Sequence, residues 1–211
     1  MKRPSNREEP PVDAEEAVLS FPGPRRTIVP ATSFRSTWIV ASIESLRNFG
    51  QFERYRALLG ERSDEVLTCV AGVWLPMAVA RSHYRACESL GLSIEEQTAM
   101  SQSTDNHVRR AWYATLIASA ERAEATPWTI LALLHRMWLR GADGGAVGAF
   151  RLGPTQARVE YVGCELFEIM YFRRAVRSVL LALVERTCAK PAVELVPRPP
   201  KGESSYVIRW E

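Results

Sequence analysis

The chain has 211 residues, 46% hydrophobic and 24% charged, which is enough for one domain with a real apolar core. A formal net charge of +3 is too small for the concentrated basic face that nucleic-acid binding requires, and no run of about 18 apolar residues is long enough to span a membrane. Cys69, Cys87, Cys164 and Cys188 lie far apart and form no C-x-x-C, which argues against a zinc knuckle or a disulfide framework and for reduced thiols in a cytoplasmic protein. No apolar segment of a secretory signal is visible at the start. Lys2, Lys190 and Lys201 are the only lysines among 27 basic residues; GC-rich coding explains that bias unless the arginines cluster for phosphate recognition.

Residues 1–32 carry Pro10, Pro11, Pro22, Pro24 and Pro30 among scattered charges, so they are expected to form a disordered tail before a single domain over 33–211. Trp38, Ile39, Ser42, Ile43 and Leu46 then set a helical period that ends near residues 48–50, and Phe52, Tyr55, Leu58 and Leu59 set a short second helix. The apolar run from Val66 to Trp74 fits no one element. Pro76 opens a helix that reaches Leu90 before Gly91. Ser93 and Glu96 form a capping-box pattern for a short helix from Ile94, and a separate helix is expected from about Asp105 to Glu124. Thr126-Pro127 is a strong start for a helix running to Arg140, which Asp143-Gly144-Gly145 ends.

The last third is more distinctive. Val147–Leu152 and Ala157–Val162 flank Gly153-Pro154 and read as a hairpin. A long helix follows, with Ile169, Phe172, Val176, Val179, Leu180 and Leu183 on the face toward a sheet. Arg174, Arg177, Ser178 and Glu185 fall on the opposite, wet side. Beyond the proline-rich stretch 197–202, Tyr206, Ile208 and Trp210 alternate as a half-buried strand of a second hairpin. The fold class is therefore α+β, with a helical N-terminal part packed on a small four-stranded antiparallel sheet.

Catalytic signatures are missing. There is no G-x-S-x-G, no H-E-x-x-H and no glycine-rich phosphate loop; Gly144, Gly145 and Gly148 precede a strand rather than a helix. His83 and Cys87 share one helical face, but a metal site needs three or four ligands. No enzyme is expected.

Trp74-Leu75-Pro76 opening a helix, Leu139-Arg140 with Gly144-Gly145 before the hairpin, Ala157–Tyr161 leading into the long helix, and the closing Val207-Ile208-Arg209-Trp210 together carry a resemblance. On these residues the chain, from Phe34 to Trp210, resembles the ligand-binding superfamily of haem–nitric-oxide-binding domains, vinyl-4-reductase-type domains and TRAPP transport-complex subunits. Within it the chain is most similar to myxobacterial proteins of this length. The resemblance implies sensors, adaptors and assembly subunits that hold a hydrophobic or cofactor-like ligand, or a partner protein, between helices and sheet.

In the haem branch the iron ligand is a histidine on the helix before the first hairpin, where this chain has His135. That branch also holds the haem propionates with Tyr-x-Ser-x-Arg, whereas here the stretch reads Tyr161-Val162-Gly163-Cys164-Glu165, and a carboxylate repels propionates. A histidine on an apolar helix face is a structural residue more often than a ligand. The leading expectation is accordingly a non-enzymatic sensory or ligand-binding module with an apolar pocket. Trp112, Trp128, Leu131, His135, Trp138 and Phe172 are the candidate lining. The alternatives are a protein-interaction or assembly subunit without a small ligand, and a haem-based gas sensor. The cofactor, if there is one, is not named by the sequence, and a homodimer remains open.

Overall fold

The computed structural model describes residues 16–112 and 125–211, with the side chains of 105–112 left aside. Strands Glu16–Leu19 (β1), Ala146–Gly153 (β4), Gln156–Val162 (β5), Ala192–Leu195 (β6) and Ser204–Arg209 (β7) form one antiparallel sheet in the order β1-β4-β5-β7-β6. Ser33–Arg35 (β2) and Trp74–Pro76 (β3) pair separately, and Phe34 bridges to Ala142. The α+β architecture agrees with the sequence.

Local chemistry explains the helix boundaries. Helices Ser36–Asn48 (α1), Phe52–Leu58 (α2), Ser63–Leu67 (α3) and Met77–Ser89 (α4) make the N-terminal half. The unassigned apolar run resolves into α3, whose Val66 is buried, a short loop, and β3. Gly91, at φ +65°, ends the segment after α4 in the left-handed conformation that glycine adopts without strain. Ile94–Trp112 (α5) starts on a complete capping box: the Ser93 amide donates to the Glu96 carboxylate at 2.8 Å and the Glu96 amide to the Ser93 hydroxyl at 3.1 Å. It runs through the expected break near Asp105 as one helix; the remainder of the helix expected to Glu124 lies outside the described residues. Pro127–Gly141 (α6) has the expected Thr126 cap, reciprocated by Thr129.

The sheet presents Val147, Ala149, Ala157, Val159, Tyr161, Tyr206, Ile208 and Val193 on its inner face, matched by the cross-strand register. Helix α6 covers the β1–β4 end and Met170–Val184 (α7) the β6 end. The expectation of a wet outer side on α7 fails, because α7 is sandwiched between the sheet and helices α4 and α5. Ser178 is buried, and Val176 and Val179 are only half-buried.

The largest correction concerns residues 16–32 of the supposed tail; residues 1–15 of it lie outside the described residues. Residues 16–32 are part of the fold: β1 makes the sheet five-stranded instead of four-stranded. Phe21 lies 6.0 Å from Phe150 on the outer face of the sheet, and Arg25 is ion-paired with Glu160 and with Glu203. The strap then runs against three glycines. The Gly145 amide donates to the Val29 carbonyl at 2.7 Å, and the Ala31 amide to the Gly163 carbonyl at 2.8 Å. A Cβ on Gly144 would sit 2.7 Å from the Pro30 carbonyl oxygen, so the close approach requires glycine. Asp143 fastens the end of the strap by accepting four hydrogen bonds of 2.6–2.9 Å from the amides and hydroxyls of Thr32 and Ser33. Proline content marks poor helix and strand interiors, but it does not forbid a segment that docks by side chains and a few amides. No helix among the described residues is long and apolar enough to cross a membrane.

Candidate ligand cleft

An apolar cleft opens where the helical half meets α6, α7 and the sheet. Leu134, Met137 and Trp138 line it from α6, and Phe172, Val176 and Val179 from α7. Phe34, Trp38 and Tyr84 close it from the N-terminal half, and Tyr161 forms its floor from β5. The rings pack edge to face: Tyr84 and Phe172 are 4.8 Å apart, Phe34 and Phe172 5.8 Å, and Trp138 and Tyr161 5.4 Å. Trp138 also stacks on Phe167 and donates its Nε1–H to the Gly144 carbonyl at 2.8 Å, so its indole is held from three directions. The remaining void is about 80 Å³. An apolar cavity that accepts benzene is about 150 Å³, so only smaller apolar molecules enter without a rearrangement.

Of the candidate lining, Trp138 and Phe172 are in the cleft. Trp128 is at the far end of the sheet, its ring 4.7 Å from Trp210 and under the guanidinium of Arg151 at 4.2 Å. Leu131 is fully buried core and does not reach the void. Although Trp112 ends α5, its side chain lies outside the described residues. His135 turns toward β4, where its Nδ1 accepts the Val147 amide at 3.4 Å. β1 pairs with β4 only as far as Ala149, so the imidazole serves an amide beyond the reach of that strand. Partial burial lowers its pKa, and the neutral ring is the acceptor this bond needs. Phe34, Trp38, Tyr84 and Tyr161 join the lining without a place among the sequence candidates. Trp38 shares the apolar face of the first predicted helix, and that periodicity is the available signal.

His83, by contrast, is fully buried. Its Nδ1 meets the Tyr55 hydroxyl at 2.6 Å and its Nε2 the Cys87 thiol at 3.7 Å. Burial lowers the imidazole to about 3 and pushes the Cys87 thiol far up, so both are neutral. A protonated thiol is neither a nucleophile nor a metal ligand. Among the described residues no three His, Cys, Asp or Glu side chains converge on a metal position. The network joins α2 to α4 as a satisfied polar core.

No protein-family model and no curated protein matches the chain. Solved structures do. The Fe(II) unliganded H-NOX protein from K. algicida superposes with a TM-score of 0.62 at 10% identity, over 84% of this chain and 96% of that one. A point mutant of T. tengcongensis H-NOX gives 0.57 at 14% identity, over 84% and 97%. An oxygen-binding H-NOX domain related to soluble guanylate cyclases, in its oxygen complex, gives 0.55 at 14%, over 84% and 95%.

Haem does not fit the residues present. The void is a fraction of the roughly 300 Å³ at which pockets for drug-sized ligands begin, and six aromatic rings fill the space around it. His135 does not line the cleft. Tyr84 does, but burial raises its phenol well above the usual value, so it offers no phenolate. Glu165, which the resemblance sets where a propionate-binding arginine is expected, is a carboxylate paired with Arg81 at 3.1 Å. By its architecture the chain shares the fold of these H-NOX domains.

Proposed function

We propose that this chain is a non-enzymatic sensory module that holds a small apolar molecule, without haem, in the cleft between α6, α7 and the N-terminal half. One observation carries the reading: at the junction of the two halves the fold keeps a void walled almost wholly by hydrocarbon and aromatic surface. Filling it moves α7, the element both halves contact, and gives binding a route to the surface. Two measurements test this. Xenon added to the full chain should shift methyl resonances of Val176, Val179 and Leu134, and methyls elsewhere should stay put. Incubation with haemin should give no Soret band that disappears in His135→Ala. Silent cleft methyls, or a His135-dependent Soret band, would sink the proposal.

A second reading, an assembly subunit, has its own support. The loop before β3 and the first residue of that strand expose Val70, Val73 and Trp74, of which Val70 is 66% accessible. Sedimentation of Val70→Glu beside the unaltered chain checks whether this loop mediates self-association.

A further inference from the structure

Helix α7 borders a second recess, distinct from the cleft. It lies between α7, the first turns of α5 and β6, and its volume is about 280 Å³. Arg174 and Arg177, on successive turns of α7, both line it; Gln97, Thr98 and Ser178 supply the other polar groups. No carboxylate is among its walls, and neither arginine pairs with a carboxylate of the described residues.

Each guanidinium is instead aimed by one neutral acceptor. Arg174 donates from Nη1 to the Gln97 side-chain oxygen at 3.2 Å, and Arg177 from Nε to the Val193 carbonyl at 2.7 Å. Gln97 is itself buried and anchored, its Nε2 donating to the Leu92 carbonyl at 2.7 Å. Neighbouring Arg173 differs: it is buried and its donors go to the Ser204 hydroxyl and the Val196 carbonyl, which makes it structural. The start of α5 is already served by Glu96, so the recess owes its character to the two arginines rather than to the helix end. Two oriented planar cations beside an empty volume with no counter-charge match a tetrahedral oxyanion, which guanidinium binds through paired N–H donors.

We infer that this recess binds a phosphate group, and the room beyond one phosphate favours the phosphate end of a small organic ester. The inference does not depend on what the cleft holds. It is tested by titrating the full chain with inorganic phosphate and, separately, glycerol 3-phosphate, following the Nε–H resonances of Arg174 and Arg177 and the heat of binding. Saturable shifts of both signals are expected; tighter binding of the ester identifies an organic phosphate, and equal binding identifies free phosphate. Arg174→Gln and Arg177→Gln should each weaken binding about tenfold, as the loss of a charged hydrogen bond predicts, and Arg56→Gln on α2 should not. Among the described residues the Arg174 side chain hydrogen-bonds to Gln97 alone, so its variant reads the site even where Arg177→Gln disturbs β6. No saturable shift at millimolar concentration of either compound, or unchanged affinity in Arg174→Gln, would overturn the inference.

Discussion

Replacing Trp138 with alanine enlarges the cleft in a way that can be worked from its contacts. The indole is half-buried, lies 5.7 Å from Phe167 and 5.4 Å from Tyr161, and makes one hydrogen bond of 2.8 Å to Gly144. A fully buried tryptophan costs about 3–5 kcal/mol to truncate, so half-burial with one hydrogen bond places Trp138→Ala at about 2–3 kcal/mol. The void of about 80 Å³ then grows by on the order of 100 Å³, past the size that takes benzene. Benzene at about five times its Kd should restore about 1 kcal/mol, and a chain of this length converts that into about 2–4 °C of Tm. The assay is thermal unfolding of both proteins with and without benzene or indole. The unaltered chain should not respond. Equal responses from the two proteins, or a Trp138→Ala variant as stable as the parent, would show that Trp138 does not wall the void.

The strap and its clasp give two further expected outcomes. A chain beginning at Ser33 loses β1, the Arg25 ion pairs and the cover of Phe21 over the sheet, and its Tm should fall by more than about 5 °C, whereas a chain beginning at Glu16 keeps all of these contacts; equal Tm values for both would refute the docked strap. At Asp143 burial works to raise the carboxyl, but the hydroxyls and amides of Ser33 and Thr32 hold it at about 2. A folded value below the unfolded one of about 3.9 means stability that is complete above roughly pH 4 and lost as pH falls toward 2. Because Asp143 is exposed, the effect is discounted for screening to about 1 kcal/mol. Urea unfolding of Asp143→Asn should differ from the parent at pH 6 and converge with it near pH 2; a constant gap would contradict this origin.

The C-terminal architecture is legible in the sequence because its signals are local. Gly153-Pro154 sets a turn, and the alternation of Tyr206 with Ile208 sets an inner face that the register confirms. Cap residues locate α5 and α6 for the same reason. What sequence periodicity does not supply is which covered face meets which. Ser178 and Arg177 lie on the polar arc of α7, yet helices α4 and α5 pack on that helix, Arg177 bonds across to the Val193 carbonyl of β6, and Ser178 bonds back to the Arg174 carbonyl one turn earlier. Trp128 and Trp138 look equivalent on one helix, but ten residues advance the helix by about 15 Å, so they serve opposite ends of α6. The sequence offers His135 as a ligand or a core residue, and its partner is a backbone amide whose need arises only from where β1 stops. The strap has one short local turn, at Pro24–Ile28, and the contacts that dock it are distant in sequence, so no periodicity announces it.

That distance has a consequence for the order of events during synthesis. Arg25 and Glu160 are separated by 135 residues, and β1 has no strand to pair with until β4 has been made. A nascent chain therefore carries β1 without its partner while every helix of the N-terminal half emerges. Closure of so long a loop is among the slower steps available to a small domain. Until it closes, the outer side of β4 around Gly148 and Phe150 remains bare, and this exposed sheet is what a cellular holding factor would encounter.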